Sequence, residues 1–141
     1  MKKYVYEETV ISHALAPNIW RVLTNFGDWK LWDDSIEYIK LNSDLTVGSK
    51  GVLKHILAKE KKFEFIYVDE EKKLGLRVKM FLANVDFIFN IVEIDGDFYI
   101  TEILEFSGLF GFWYSRVYGK QIYRTFSTNL KRLSERAEKL L

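Results

Sequence analysis

Two periods of apolar and polar residues divide this chain. Lys3 to Ser12, rich in Tyr, Val, Thr and Ile, reads as a strand. Ile19, Trp20, Leu23 and Phe26 then recur at helical spacing behind Pro17, whose missing N–H suits the first turn of a helix. Gly27 offers a stop, and Asp28 a cap for a second short helix carrying Trp29, Leu31 and Trp32. Past Asp33-Asp34 the period becomes two. It predicts strands at Ile36–Leu41, Gly51–Ala58, Phe63–Asp69, Leu74–Leu82, Val85–Ile94 and Phe98–Ser107. The breaks "NSDLTVGSKG", "KEKK", "DEEKK" and "DGD" carry turn chemistry, and Asp95-Gly96 is a tight-hairpin signal. Such short links favour antiparallel neighbours.

In the last segment Tyr118, Ile122, Phe126, Leu130, Leu133, Ala137 and Leu140 return at three- and four-residue steps, opposite a basic face. The spacing predicts one helix from Tyr114 to Leu141, about 40 Å long at roughly 1.5 Å per residue. One strand, two short helices, six strands and a long amphipathic helix make an α+β chain, with helices gathered on one face of an antiparallel sheet. No repeat, low-complexity tract or linker divides residues 1–141, so a single domain is expected.

Composition narrows the function classes. Of the 141 residues 48% are hydrophobic and 16% aromatic, enough for a sizeable core, and the formal charge of +1 supplies no global field toward nucleic acid. There is no cysteine, which excludes disulfides, thiolate metal sites and a Cys nucleophile. "MKKYVYEE" has the lysines of a signal peptide without an apolar stretch behind them, and no run approaches the roughly 18 apolar residues of a membrane span. A soluble, cytoplasmic protein without stable membrane insertion is the expectation.

Residues Ile11 to Leu41, "ISHALAPNIWRVLTNFGDWKLWDDSIEYIKL", resemble the N-terminal signature of the START-like (SRPBCC) superfamily, the polyketide cyclase/dehydrase and lipid-transport group. Ala14, Ile19-Trp20, Asn25-Phe26, Trp29 and Trp32 occupy the signature positions. Proline is displaced to Pro17, and Asn25 stands where Asp is usual. "VGSKG" before the third strand and "EFSG" ahead of the final helix extend the likeness over nearly the whole chain. The resemblance implies a helix-grip fold: a curved seven-stranded antiparallel sheet around the C-terminal helix, closed at one end by the two short helices. It also implies a hydrophobic cavity between sheet and helix, and no universal catalytic set. Within such a fold the indoles would plug one end of the half-barrel. Trp20 reads as core, while Trp29 and Trp32 stand evenly between core and ligand lining.

Strand alternation then sorts the candidates. Phe98, Ile100, Glu102, Leu104 and Phe106 share one face, so Glu102 is a lone carboxylate in an apolar row. Such a group costs several kcal/mol unless paired or protonated. It reads as a cavity acid, as half of a structural ion pair, or as a residue turned outward by a bulge. His55, between Leu53 and Leu57, is a core histidine or an acid/base. The rows Phe63/Phe65/Tyr67 and Val85/Phe87/Phe89 are expected to face Ile122 and Phe126 and leave a pocket of a few hundred Å3. "GLFGFWY" holds Phe110 and Trp113 between flexible glycines and reads as a gate, a plug or a dimer contact, so a homodimer stays open. No P-loop or dinucleotide glycine pattern, metal-ligand spacing, Ser/His/Asp set or basic–aromatic interleaving is present, so neither a cofactor or metal nor nucleic acid is expected. The first functional reading is binding of a small hydrophobic or amphipathic ligand, such as a lipid, isoprenoid, quinone or polyketide-like compound. The alternative is a cyclase/dehydratase-type enzyme using Glu102 or His55.

Overall fold

The computed structural model describes residues 2–140. Seven strands form one antiparallel sheet: β1 Tyr4–Ser12, β2 Ile36–Leu41, β3 Lys50–His55, β4 Lys61–Asp69, β5 Lys73–Met80, β6 Ala83–Ile94 and β7 Asp97–Ser107. Their order is β1-β7-β6-β5-β4-β3-β2, so every strand from β2 onward pairs with its neighbour in sequence and β1 closes against β7. At the β6–β7 hairpin Asp95 and Gly96 have φ of 52° and 87°, the pair of positive values a two-residue turn of this hand requires. The sheet and its helices make the α+β helix-grip architecture that the periodicity and the resemblance anticipated.

Two short helices fill the β1–β2 connection. α1, Ala16–Thr24, carries Pro17 in its first turn and buries Ile19 and Leu23. A 3-10 turn, Phe26–Leu31, follows and buries Trp29. Gly27 and Asp28 lie inside that turn, so neither is the expected stop or cap. Asn25 separates the two elements, and its Nδ2 donates to Asp28 Oδ2 at 3.0 Å. Trp20 is half-buried and packs on the core.

The C-terminal segment differs from the expected single rod. It runs as α2 Gly111–Tyr114, a π-helical turn Ser115–Gly119, α3 Lys120–Tyr123 and α4 Phe126–Glu138. The expected end at Leu141 lies outside the described residues. Two local causes interrupt the helix. Gly119 sits so close to β1 that a Cβ there would lie 2.6 Å from the Tyr6 hydroxyl oxygen. Thr125 Oγ1 donates to the Ile122 carbonyl at 2.9 Å, offering the backbone a partner outside the helical ladder. The apolar stripe survives the interruptions, so periodicity alone could not reveal them.

A β-bulge re-aims one aromatic row. Phe65 pairs with Leu76 and Tyr67 with Gly75, which leaves Ile66 as the extra residue on β4. Beyond a bulge the side-chain alternation is reset. Phe63 and Phe65 therefore point inward while Tyr67 turns to the outer face, over Gly75 and beneath Lys73 Nζ at 3.9 Å from its ring. Inside the sheet, one large cluster gathers Ile19, Leu23, Trp29, Trp32, Phe65, Phe89, Leu130 and Leu133. A smaller one joins Val85, Leu104, Phe106 and Phe126. Phe87 and Met80 touch both clusters from the sheet between them.

Candidate functional site: a cavity with a buried acid

Between the sheet and the interrupted C-terminal helix lies a cavity of about 530 Å3. β5 supplies Leu76, Val78 and Met80; β6 supplies Val85, Phe87 and Phe89; β7 supplies Glu102 and Phe106. These side chains stand on one face because cross-strand partners in an antiparallel sheet point the same way: Leu76 is opposite Phe87, Val78 opposite Val85, and Phe89 opposite Glu102. Tyr114, Tyr118, Gln121, Ile122 and Phe126 cover it from the helical side, Trp29 from the 3-10 turn, and Leu53, His55 and Leu57 from β3 and its following turn.

Asp33, Ser35, His55, Glu102 and Gln121 put polar groups into this wall. Lys59, in the β3–β4 turn, and Lys61, at the start of β4, line it as well. Glu102 is 2% exposed, and its Oε1 has no hydrogen-bond partner among the described residues. Burial, reinforced by the nearby Asp33 carboxylate, pushes its pKa well above the ordinary glutamate value. Burial thus favours the neutral form of Glu102, a form able to donate a proton or a hydrogen bond into an apolar space.

Asp33 is buried too, and burial raises its pKa against the opposing pull of its hydrogen bonds to Ser35. Its Oδ1 accepts from the Ser35 amide at 2.9 Å, from the Ser35 hydroxyl at 2.5 Å and from Asn129 Nδ2 at 3.0 Å. That last bond ties the site to α4. His55 is shifted downward, mainly by burial, with Asp33 opposing and Lys54 assisting. Its Nδ1 accepts the Leu57 amide at 3.1 Å, so the neutral ring carries its proton on Nε2. The site therefore combines two buried carboxyl groups, of which Asp33 is braced by Ser35 and Asn129, with an imidazole whose neutral form donates from Nε2.

Of the residues singled out in the sequence, Trp29, His55, Phe87, Phe89, Glu102, Ile122 and Phe126 line this cavity. Six others do not. Trp32 is fully buried between Trp29 and Phe89, with ring centroids 5.0 and 5.9 Å away. Phe63 and Phe65 pack into the closed end, edge to face at 5.2 Å, with Phe65 against Phe26. Tyr67 is outside because of the bulge. Phe110 and Trp113 are exposed on the segment between β7 and the π turn, Phe110 against Phe81 and Trp113 against Tyr114. Alternation also set Asp86 with Asn90 on the outer row, and there Asp86 is buried beneath Arg77, which donates to it at 2.8 and 2.9 Å. Asp33 is the functional candidate that sequence reasoning missed. Its place beside Trp32 was the available signal, since an aspartate flanked by buried indoles has to be satisfied by named partners.

Among the described residues no group of three or more His, Cys, Asp or Glu is arranged to hold a metal ion. No protein-family model matches the chain. No curated protein matches it either. Solved structures do match over its whole length. Zhui aromatase/cyclase from Streptomyces sp. R1128 superposes with a TM-score of 0.77 at 13% identity, over 98% of this chain and 95% of that one. This is the START-like fold. Norcoclaurine synthase from Thalictrum flavum, in complex with dopamine and hydroxybenzaldehyde, gives 0.67 at 17% identity over 95% and 86%. Ara h 8.0201 gives 0.70 at 12% over 99% and 100%. These neighbours thus share the overall fold with this chain at 12–17% identity.

Proposed function

We propose that this protein binds a small, largely apolar molecule in the cavity, with a polar group of that molecule against Glu102. The observation that carries the reading is a carboxyl group at 2% exposure, its Oε1 without a hydrogen-bond partner among the described residues, in the wall of a space of about 530 Å3. Ligand sites typically span roughly 300–1,000 Å3 and combine an apolar lining with a few placed polar groups. An orphaned buried carboxyl carries a desolvation penalty that a ligand's acceptor or basic group would relieve. Trp29, Phe87, Phe89, Ile122 and Phe126 would supply the apolar contact. Neighbours of the same fold include one solved with two small aromatic molecules bound, consistent with a cavity built for such cargo.

A second reading is acid–base catalysis of a cyclisation or dehydration, favoured by one observation: Glu102, His55 and Asp33 line the same cavity, and burial shifts each toward its neutral form. In a dehydration a base removes the proton α to a carbonyl, and an acid protonates the departing hydroxyl, which leaves as water. Glu102 fits the acid. His55, with Nδ1 occupied by Leu57, offers a donor to the carbonyl oxygen, and Asp33 is the group left to accept the proton.

One experiment separates the two. An uncharged environment-sensitive naphthalene dye is titrated into the protein, and candidate polyketide-like and lipid compounds compete for it, with product analysis alongside. The binding reading expects saturable dye uptake, competition by compounds with a polar head, and weakening of that competition by about tenfold in Glu102→Gln, the worth of one charge-assisted or buried hydrogen bond. Absence of uptake would sink it. Product formation that disappears in Glu102→Gln while dye affinity is unchanged would establish the enzymatic reading instead.

A further inference from the structure

Two buried carboxyl groups line the cavity, and neither is in an ion pair among the described residues. The 3-10 turn delivers the first. The Asp33 amide donates to the Trp29 carbonyl at 2.8 Å, which brings Trp29 and Asp33 to the same wall. All three bonds to the Asp33 carboxyl fall on Oδ1, two from Ser35 and one from Asn129. They leave Oδ2 without a hydrogen bond among the described residues. β7 supplies the second carboxyl, Glu102, whose Oε1 also has no partner there. The Asp33 carboxylate is near enough to raise the proton affinity of Glu102. Two like groups in one apolar space are costly, and a ligand bearing a positive charge and several N–H donors relieves both.

Aromatic rings frame the same spot. Phe89 is the cross-strand partner of Glu102 and shares its face. Trp29 meets Phe89 with centroids 5.8 Å apart and planes at 74°. Aromatic faces attract cations, and more strongly where water is excluded. Carboxyl groups beside phenyl and indole rings make a setting for an organic cation. The protein's own cations do not fill it. Lys59 is exposed and Lys61 half-buried, so water screens their charges, and neither pairs with Glu102 or Asp33. His55 interacts with Asp33, yet burial favours its neutral ring. Tyr114 and Tyr118, on the helical side, are the remaining titratable groups of the wall.

From these placements we infer that the cavity selects a primary amine in its cationic form, with the ammonium group between Glu102 and Asp33 and an aryl or alkyl body along Val85, Phe87 and Ile122. The inference rests on the binding reading and names the class of molecule that reading leaves open. An ammonium group carries three N–H donors, enough for both free carboxyl oxygens. Forming the ion pair sends the Glu102 proton to solvent, so binding tightens as pH rises while the amine itself stays protonated.

The test is displacement of the uncharged naphthalene dye by three compounds that differ in the head alone: naphthylethylamine, naphthylethanol and naphthylpropanoate. Near about pH 7 the amine is expected to bind at least about tenfold more tightly than the alcohol, because charge-assisted hydrogen bonds exceed neutral ones, and the propanoate more weakly than either. Glu102→Gln keeps the shape and should bring the amine to within about threefold of the alcohol. Asp33→Asn, which keeps an oxygen for Ser35 and Asn129, should also lower the preference. Urea unfolding of each variant checks the fold. In the wild type, amine affinity should rise from about pH 5 to about pH 8. Protonation of His55 at the acid end acts in the same direction, so the part of the rise that disappears in Glu102→Gln is the part due to Glu102. Dye uptake without a preference for the amine, a preference for the propanoate, or an amine preference that survives in Glu102→Gln overturns the inference and leaves the binding reading standing. So does an amine affinity that falls as pH rises, since Glu102 would then bind as the protonated donor. No dye uptake at all removes the binding reading and this inference with it.

Discussion

Burial favours the protonated form of Glu102, and the pH behaviour of the fold follows from that. The unfolded chain ionises at the ordinary glutamate value, while the folded chain holds the proton to a higher pH because of burial and Asp33. A raised folded pKa means that the group's contribution to stability is complete below the unfolded value and is lost as pH rises through the folded one. His55 has the opposite sign: its folded pKa lies below 6.5, so its contribution is present above the unfolded value and is lost as pH falls through the folded one. Both neutral forms coexist between these limits. Glu102→Gln keeps the shape and removes the ionisation. Urea titrations should therefore find it close to wild type near about pH 4 and more stable than wild type near about pH 8, with the gap widening as pH rises. A constant difference across that range would mean that Glu102 ionises freely in the fold.

Glycine 119 shows how an element can be set by a neighbour rather than by its own sequence. Its backbone is helical, with φ of −57°, so by propensity alone alanine should stabilise it by about 1 kcal/mol. The Tyr6 ring forbids that: a Cβ would lie 2.6 Å from Tyr6 Cζ. Overpacking of this kind costs about 1–3 kcal/mol, so Gly119→Ala should destabilise the wild type on balance. In a Tyr6→Ala background the same change should be stabilising, and a double-mutant cycle in urea reads the reversal directly. The same distinction explains what was legible beforehand. The strands, the two helical regions and their order follow from local period, which belongs to each segment alone. The apolar row that holds Glu102 was legible from Phe98, Ile100, Leu104 and Phe106, while its inward position was one of three readings that alternation left open. The bulge at Ile66, the π turn ending at Gly119 and the burial of Asp33 were not legible. Each depends on a partner distant in sequence: Gly75 for Tyr67, Tyr6 for Gly119, and Asn129 for Asp33.

At the scale of the whole molecule, the core is divided unevenly. One end is packed with indole and phenyl rings, and the other leaves a cavity between two clusters. Substitutions should report which region they touch. Phe89→Ala removes a ring held by both Trp29 and Trp32 at 5.8 and 5.9 Å, and should cost about 3–5 kcal/mol. Val78 and Val85 are cross-strand partners on the cavity wall. Enlarging them moves atoms into open space, so the usual penalty for overpacking does not apply. Val78→Phe with Val85→Phe should leave stability within about 1 kcal/mol of wild type, or raise it, since filling a void recovers lost contacts. The pair should also reduce uptake of the naphthalene dye at least tenfold, because the added rings occupy the volume the dye needs. Thermal unfolding provides the matching check. A ligand at about 100 times its Kd adds about 2.7 kcal/mol to wild-type stability, which for a domain of this size raises Tm by several degrees. The filled variant should show no such rise at the same dye concentration. If it binds dye as tightly as wild type, the dye is not in this cavity.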